Sequence, residues 1–234
     1  DKLVTGVQTC ALPIYEPYAE ILFASPETDI WRIVTAARNC YKSKGKGRES
    51  DLRLISSCFK NDHHSVLEHS SVTARFVVDR GVSHELVRHR LASYSQESTR
   101  YCNYSKDKFD KQITVIKPIR IPEESMEYYI WRRQCESAEQ AYFDLLDLGA
   151  KPENARSVLP TCLKTEVVMT ANLREWYLIL SLRTARDAHP DIRYVMSSLL
   201  FDMNMQFPKI FGDLFADRNP KFIEDFAKKG NKNA

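Results

Sequence analysis

The sequence is poor in glycine and lacks the glycine-rich loops with which many proteins bind nucleotide phosphates. Only 7 of the 234 residues are glycine, and neither G-x-x-x-x-G-K-[ST] nor G-x-G-x-x-G occurs. Both patterns place backbone N–H groups against a phosphate, and both need glycine at fixed positions. Their absence excludes a P-loop and a Rossmann-type dinucleotide site. A nucleotide ligand would therefore have to be held by side chains.

Activated nucleophiles and metal-binding cysteine pairs are also missing. No serine lies in a G-x-S-x-G elbow, and the 6 cysteines are scattered without a C-x-x-C pair. Scattered cysteines are typical of free thiols in a reducing compartment rather than of a disulfide framework or a zinc ribbon. We therefore expect a cytoplasmic protein whose chemistry does not depend on a serine or cysteine nucleophile.

Long apolar runs and a large net charge are absent as well. No apolar run approaches the roughly 20 residues that cross a bilayer. The formal net charge is only +3, which does not indicate a broad nucleic-acid-binding surface. Neither a membrane nor a nucleic acid is therefore expected as a partner.

The first residues differ in character from the rest of the chain. The segment VTGVQTCALPI (4–14) matches the translation, in one frame, of a common short-read sequencing adapter. We interpret residues 1–14 as non-native, and the alternative is a poorly structured native N-terminus without the layout of a signal peptide. A single catalytic domain is then expected over residues 15–227, and a disordered tail over 228–234.

Apolar periodicity predicts short strands between longer helices. The segment SVTARFVVDR (71–80) alternates apolar and polar residues, which is typical of a half-buried strand. Its inward residues are expected to be Val72, Ala74, Phe76 and Val78. Helices are expected from about 28 and about 51 and over 83–90, 123–148, 174–183 and 191–211, with strands near 111–122 and 161–172. The buried stripe of the long helix is expected to contain Ile130, Ala138, Ala141, Leu145 and Leu148. This order indicates an α+β fold, with a mixed or antiparallel sheet packed against several long helices.

One polar segment, RHRLASYSQESTRY (88–101), carries more basic and hydroxyl groups than a core or a mixed-charge surface needs. It is expected to lie at a helix end and in the loop that follows. The planar fork of arginine suits bidentate contacts with phosphates and with the carbonyl edges of flat heterocycles. The pattern indicates a protein that binds phosphorylated or flavin-like ligands, and a salt-bridged helix surface is the alternative.

Two other functions fit parts of the same sequence. A basic RNA-binding module would combine the arginines with nearby tyrosines as stacking platforms, although the small net charge argues against it. A metal-dependent phosphohydrolase would use Asp62, His63, His64 and His69. The spacing of these residues matches neither H-E-x-x-H nor a cysteine–histidine zinc pattern, so no metal site is expected.

The segment at 88–101 resembles the R-H-R…Ser motif of the flavin-dependent thymidylate synthases. Ser98 lies at the serine position of that motif, and Arg100 and Tyr101 follow it as in the family. Four further segments resemble the family in the same order: AARNCYKS (36–43), HHSVLEH (63–69), ARSVLP (155–160), and NLR (172–174) with LR at 182–183. The similarity covers about residues 30–210.

The resemblance implies roles for individual residues. The residues implied to bind FAD are His63, Ser65, Arg88, His89, Arg90, Gln96, Asn172 and Arg174, the last two from another subunit. The residues implied to bind dUMP are Glu85, Arg88, Gln96, Ser98, Thr99, Arg100, Arg156 and Arg183. Arg183 would also be catalytic, because it would stabilise the anionic uracil ring. The cations at 88–90 would stabilise the reduced flavin.

Three positions depart from the pattern of several relatives. Those relatives carry glutamate where this chain has Gln96, and glutamine where it has Glu85. Both exchanges fall in the implied nucleotide pocket, and Gln96 still offers a donor and an acceptor. Leu178 replaces a polar flavin-contacting residue of some relatives, so no role is expected for it.

The implied reaction is the reductive methylation of dUMP to dTMP. Methylenetetrahydrofolate would supply the methylene group, and NADPH would reduce FAD, which in turn would supply a hydride. No protein side chain would bond covalently to uracil, in agreement with the missing nucleophile. The resemblance also implies a homotetramer with shared active sites, in which a small glycine-poor chain can bind three ligands.

Overall fold

A computed structural model describes residues 12–218 of the chain. These residues form two compact units, each built from two stretches of chain. The single catalytic domain over residues 15–227 stays a prediction. The smaller unit contains residues 12–16 and 97–164, and the larger unit contains 17–96 and 165–218. The predicted tail at 228–234 and most of the segment predicted to be non-native, residues 1–11, lie outside the described residues. The non-native origin of residues 1–14 stays a prediction.

Strands and helices alternate along the chain, so the predicted α+β fold is confirmed. The strands are β1 (Ile14–Tyr15), β2 (Tyr18–Phe23), β3 (Ser71–Asp79), β4 (Ala92–Gln96), β5 (Val115–Ile116) and β6 (Lys164–Asn172). The α-helices are α1 (Pro26–Tyr41), α2 (Arg48–Lys60), α3 (Arg80–Leu86), α4 (Met126–Asp147), α5 (Pro152–Ala155), α6 (Leu173–Arg183), α7 (Pro190–Gln206) and α8 (Pro208–Asp217). Short 3-10 helices lie at His64–His69, Asp107–Phe109 and Arg156–Val158. Among residues 12–218, every helix is too short or too polar to span a membrane.

The larger unit is organised around a four-stranded sheet in the order β2-β3-β6-β4. The β2–β3 and β4–β6 pairs are antiparallel. All four residues of β3 that were predicted to point inward, Val72, Ala74, Phe76 and Val78, are completely buried. The indole of Trp176 on α6 donates a 2.9 Å hydrogen bond to the Val72 carbonyl, which ties α6 to the sheet.

The smaller unit has its own core beneath α4. In it β1 pairs in parallel with β5, so that Ile14 lies opposite Val115. Leu12 is only 5% exposed and packs in the same cluster as Tyr142 of α4. Leu12 and Ile14 therefore contribute to this core. A segment of non-native origin would not be expected to make such packed contacts.

The arginine-rich stretch at 88–101 contains a strand that the sequence did not predict. Strand β4 pairs with β6, with Tyr94 opposite Met169. Exposure alternates along β4, because Ser93 and Ser95 are exposed whereas Ala92, Tyr94 and Gln96 are partly buried. The inward positions include an amide, Gln96, rather than a run of apolar residues. Hydrophobic alternation was therefore too weak to reveal the strand.

Two helix boundaries also differ from the predictions. The cap of α3 is Asp79, whose carboxylate accepts a 2.7 Å hydrogen bond from the Val82 N–H, whereas this helix was predicted to begin at residue 83. The predicted helix at 191–211 is two helices that meet at Phe207. Pro208 causes this break, because proline lacks an N–H and disfavours helical geometry in the residue before it.

The buried face of α4 was predicted only in part, since Leu145 of the predicted stripe packs against the core of the smaller unit. Cys135 and Tyr142 are its buried residues, whereas Ile130 and Leu148 of the predicted stripe are 49% and 85% exposed. The predicted end of this helix is confirmed, because Gly149 follows it with φ of 87°. That left-handed conformation favours glycine.

Candidate active site

The larger unit holds Arg183, the predicted catalytic residue, in a network of three hydrogen bonds. Arg183 lies in the last turn of α6, and its Nε donates to Nε2 of His89 at 2.9 Å. Its Nη1 donates to the Glu85 carboxylate at 2.7 Å, and its Nη2 donates to the Glu85 carbonyl at 3.1 Å. The side chains of Arg183 and Glu85 are 21% and 31% exposed, so a ligand can still reach the pair.

Arg183 keeps part of its donor capacity for a ligand. A guanidinium has five N–H donors, and the network uses three of them. Within residues 12–218 this leaves one N–H on Nη1 and one on Nη2. Glu85 likewise keeps one carboxylate oxygen that does not receive the Arg183 bond. The pair thus offers two donors beside an acceptor.

His89 is a buried, neutral histidine in this network. It is 7% exposed, and burial lowers its pKa from 6.5 to about 4, with a further contribution from the Arg183 charge. Its Nε2 accepts from a guanidinium, which a protonated ring nitrogen cannot do. The expectation that His89 acts as a cation beside a flavin was therefore wrong at neutral pH. Burial, which the sequence did not reveal, keeps the ring uncharged.

Tyr94 of β4 holds the backbone around His89. Its hydroxyl lies 2.7 Å from the His89 carbonyl and 2.8 Å from the Leu86 carbonyl. Burial, with a smaller contribution from the nearby Glu175, raises the pKa of Tyr94 to about 12. The phenol therefore stays protonated and can donate to these carbonyls. The strand missed in the sequence positions the histidine.

Gln96, predicted to contact both ligands, uses its amide nitrogen within the protein. The Nε2 atom donates to Ser83 Oγ at 2.9 Å and to Thr165 Oγ1 at 3.2 Å. Both hydroxyl residues are completely buried. The amide oxygen remains available, so Gln96 could contact a ligand only by accepting a hydrogen bond.

The predicted flavin residues His63 and Ser65 lie at the start of the 3-10 helix His64–His69, and Asn172 and Arg174 lie where β6 is followed by α6. His63 and Ser65 are exposed, and Arg174 donates to Glu68 at 2.5 Å. The Asn172 side-chain oxygen accepts from the Glu175 N–H at 2.8 Å and caps α6. For Asn172, only the amide NH₂ group is left for a ligand.

Arg88 and Arg90 are exposed on either side of the buried His89. Of the residues implied to bind FAD, Arg88 and Arg90 are cationic donors, and the Ser65 hydroxyl and the Asn172 amide are neutral donors. Such donors fit a flavin nucleotide, which carries anionic phosphates and a polar pyrimidine edge. The chemistry of the residues present is therefore compatible with this cofactor.

His64 packs as a structural residue. Its ring stacks on Phe59 at 4.7 Å, and Nε2 lies 3.1 Å from the Phe59 carbonyl. Among residues 12–218, no group of three or more histidine, cysteine, aspartate or glutamate side chains could hold a metal ion.

The smaller unit brings together a second group of predicted residues. Arg156 Nη1 donates to Thr99 Oγ1 at 3.2 Å. The Ser98 hydroxyl lies 3.4 Å from the Arg100 N–H, in a turn whose Ser98 carbonyl accepts from Tyr101 and Cys102. These residues offer a guanidinium, hydroxyls and turn N–H groups, which are the donors of an anion site.

One residue of the network, Glu175, was missed in the sequence. Its Oε1 lies 3.9 Å from Nδ1 of His89. The pattern Asn172-x-x-Glu175 resembles a helix capping motif, which gave the glutamate an ordinary explanation. The sequence shows a carboxylate directly before an apolar run, but its burial beside a histidine could be recognised only in three dimensions.

Comparisons with known proteins identify one family. The family model described as thymidylate synthase complementing protein matches residues 22–209. A flavin-dependent thymidylate synthase of Geobacter sulfurreducens is 33% identical over 189 residues, which cover 77% of this chain and 80% of the relative. The chain belongs to the flavin-dependent thymidylate synthase family. It is therefore an enzyme that forms thymidylate with the help of a flavin.

Further relatives and a solved structure are similar to the chain. A flavin-dependent thymidylate synthase of Mycobacteroides abscessus is 31% identical over 200 residues, with 76% of each chain covered. The crystal structure of a UMP/dUMP methylase, PolB from Streptomyces cacaoi, bound with 5-Br dUMP, superposes with a TM-score of 0.71. It is 23% identical and covers 88% of this chain and 97% of that one. At this identity the likeness establishes the shared fold.

Proposed function

We propose that the chain methylates dUMP to dTMP with FAD as its flavin, methylenetetrahydrofolate as the one-carbon donor and NADPH as the reductant. The observation that carries this proposal is the pairing of Arg183 with Glu85 and His89 at a partly exposed position. Family membership supports the assignment of this pair to a thymidylate-forming site. The PolB neighbour is described as a UMP/dUMP methylase, and its structure contains 5-Br dUMP, a nucleotide of the same class as dUMP.

The Arg183–Glu85 pair complements the edge of uracil. Uracil presents an N3–H donor between two carbonyl acceptors. The two remaining N–H groups of Arg183 can donate to a carbonyl, and the Glu85 carboxylate can accept from N3–H. In cytosine N3 is an acceptor, so a carboxylate placed to accept from N3–H would face a lone pair, and the 4-amino group would replace a carbonyl that Arg183 could donate to. The pair therefore selects uracil over cytosine.

Arg183 would act most strongly after the base is activated. Negative charge then develops on the ring and its carbonyl oxygens. A guanidinium that is already fixed by His89 and Glu85 needs no reorientation when this charge appears, and such preorganised donors stabilise a transition state more than the ground state. Arg183 is the catalytic residue in this proposal.

The flavin site would use the donors around Arg88 and Arg90. When bound, the reduced flavin supplies the hydride that completes the methyl group. Arg88 and Arg90 would hold its anionic groups, and His63, Ser65, Asn172 and Arg174 would contribute further polar contacts. His89, being neutral, would orient Arg183 rather than neutralise the cofactor.

The donors around Arg156, Thr99 and Ser98 would hold the phosphate of dUMP. Arg156 and Thr99 already share a hydrogen bond, and Ser98 begins the adjoining turn. Arg100 would add a further cation. Because the phosphate does not change during the reaction, these contacts would contribute to binding rather than to turnover.

The family resemblance also supports a homotetramer in the cytoplasm. Asn172 and Arg174 would then complete the flavin site of another subunit. Light scattering of the purified chain should give the mass of four copies, and a fully active monomer would contradict the shared site.

Flavin binding tests the cofactor assignment directly. The purified chain should show flavin absorbance that persists through gel filtration. Arg90→Ala should weaken FAD retention without unfolding the chain, whereas the control Arg53→Ala, an exposed arginine of α2, should retain FAD normally. A colourless chain that cannot be reconstituted with FAD would overturn the proposal.

Activity provides the second test. Oxidation of NADPH should depend on dUMP and methylenetetrahydrofolate and should form one dTMP for each turnover. Replacing dUMP with dCMP should abolish product, since Glu85 has no N3–H to accept. Equal turnover of dCMP would show that the Arg183–Glu85 pair does not select the base.

A further inference from the structure

Glu175 is an acidic residue in an unusual place. It lies in the first turn of α6, where acidic residues are common because they favour the helix dipole. Such residues are normally solvated, yet Glu175 is only 6% exposed. A buried carboxyl group is unfavourable unless it has a polar partner. Its position therefore requires an explanation beyond helix capping.

The partner is His89. Glu175 Oε1 lies 3.9 Å from Nδ1 of the imidazole, and both side chains are 7% exposed. This separation is an electrostatic contact rather than a direct hydrogen bond. Burial also raises the pKa of Glu175. The carboxyl group and the imidazole thus face each other where little water can screen them.

The hydrogen bond at Nε2, the other ring nitrogen of His89, shows which tautomer is present. Nε2 accepts from Nε of Arg183 at 2.9 Å, and arginine remains protonated in proteins, so Nε is always the donor. Nε2 must carry the lone pair. In a neutral imidazole the proton then lies on Nδ1, the atom that faces Glu175.

The groups around His89 can be named from each element. Glu175 and Arg183 face it from α6, and Tyr94 of β4 reaches its backbone carbonyl. Glu85 of α3 contacts Arg183. Of these, Glu175 is the acceptor that favours a proton on Nδ1.

We propose that Glu175 is a positioning residue that holds His89 as the Nδ1–H tautomer, so that Nε2 fixes the guanidinium of Arg183. Glu175 contacts His89, His89 contacts Arg183, and Arg183 contacts Glu85. The tautomer can be measured without any ligand. The effect on turnover rests on the proposed function of Arg183.

A purely structural glutamate would behave differently. Asn172 caps α6 through the backbone N–H of residue 175, which any side chain at that position retains. If Glu175 served only the helix dipole, removing its charge would lower stability and leave the histidine unaffected. The tautomer of His89 therefore separates the two roles.

Nitrogen NMR of the histidine rings is the direct test. The ligand-free full chain is labelled at its 6 histidines, and His89→Gln identifies the His89 signals by their loss. At pH 7 the His89 ring should show a protonated Nδ1 and an unprotonated Nε2. A proton on Nε2 or a doubly protonated ring in the wild-type chain would by itself overturn the proposal.

Variants of Glu175 test its part in this state. Glu175→Gln preserves the shape but removes the negative charge that favours a proton on Nδ1, so the population of the Nδ1–H tautomer should fall. Glu175→Leu should have the larger effect. The control Glu49→Gln, whose side chain is 86% exposed, should not change the His89 signals. An unchanged tautomer in both folded Glu175 variants would overturn the proposal.

Steady-state kinetics measures the consequence for Arg183. Glu175→Gln should lower kcat by about 10- to 100-fold, as for other outer partners that orient a histidine. The KM for dUMP should change by less than about threefold, because ground-state binding is retained. An unchanged kcat in a variant with altered tautomers would overturn the positioning role. A chain that makes no thymidylate would refute the proposed function, and the NMR result would still decide the tautomer.

Discussion

The Nε atom of Arg183 donates a 2.9 Å hydrogen bond to Nε2 of His89. The two residues are 94 positions apart in the chain and were predicted to serve different ligands, with His89 at the flavin and Arg183 at the uracil. Their contact makes the histidine a support for the arginine. It also makes the orientation of Arg183 sensitive to substitutions at His89.

Substitution of Arg183 should impair turnover. Arg183→Ala is expected to lower kcat by roughly a hundredfold or more, as does the loss of an oxyanion-hole donor. Arg183→Lys should restore little activity, because an ammonium cannot make the three contacts of the guanidinium with His89 and Glu85. The measurements are steady-state dTMP formation and equilibrium dUMP binding, with circular dichroism to verify folding. Loss of binding at unchanged kcat would contradict a catalytic role.

Substitution of Arg156 should instead impair binding. Arg156→Ala removes a donor to a group that is identical in ground and transition states, so kcat should change little. The KM for dUMP should rise by roughly 30- to 150-fold, which corresponds to about 2–3 kcal/mol for a charge-assisted contact. Thr99→Val, which removes the hydroxyl partner of Arg156, should have a smaller effect in the same direction. A decrease in kcat at unchanged KM would contradict the phosphate-binding role of Arg156 and indicate a catalytic one.

The stability of the ligand-free chain should depend on pH through His89. Its folded-state pKa of about 4 lies below the ordinary value of 6.5. Between these values the unfolded chain binds a proton that the folded chain does not, so stability rises with pH and is lost as pH falls through the window. Between pH 7 and pH 5 this group should account for a loss of about 2 kcal/mol.

Urea unfolding at a series of pH values measures this dependence. His89→Gln should be less stable at pH 7 but should lose less stability on acidification than the wild type, since the other 5 of the 6 histidines are common to both chains. Identical pH profiles for the two chains would mean that His89 titrates normally when folded.

The packed residues near the N-terminus should contribute to stability. Leu12 is 5% exposed and Leu148 is 85% exposed, and both belong to the smaller unit. Leu12→Ala should destabilise this unit by about 2–3 kcal/mol through lost burial, whereas Leu148→Ala should have almost no effect. Deletion of residues 1–14 should also lower the melting temperature, since it removes Leu12 and half of the β1 strand. Equal melting temperatures for the two alanine variants would show that Leu12 is not packed in solution.

Local patterns in the sequence were sufficient for several features of the fold. The alternation of β3 correctly predicted four buried residues, because a strand places every second side chain on the same face. Gly149 correctly marked the end of α4, because its positive φ is a property of one residue. The motifs around Arg88 and Ser98 led to the family for the same reason, since their spacing can be read along the chain.

The arrangement of the candidate site was decided by tertiary structure. The neutral state of His89 depends on its burial and on Arg183, and the contact of His89 with Glu175 joins residues from distant parts of the chain. Strand β4 exists because it pairs with β6, although its own residues alternate only weakly in hydrophobicity. The sequence by itself determined which residue types were available and where elements could begin and end. Only folding determined which charges were desolvated together, because burial and pairing depend on distance in space rather than on separation in sequence.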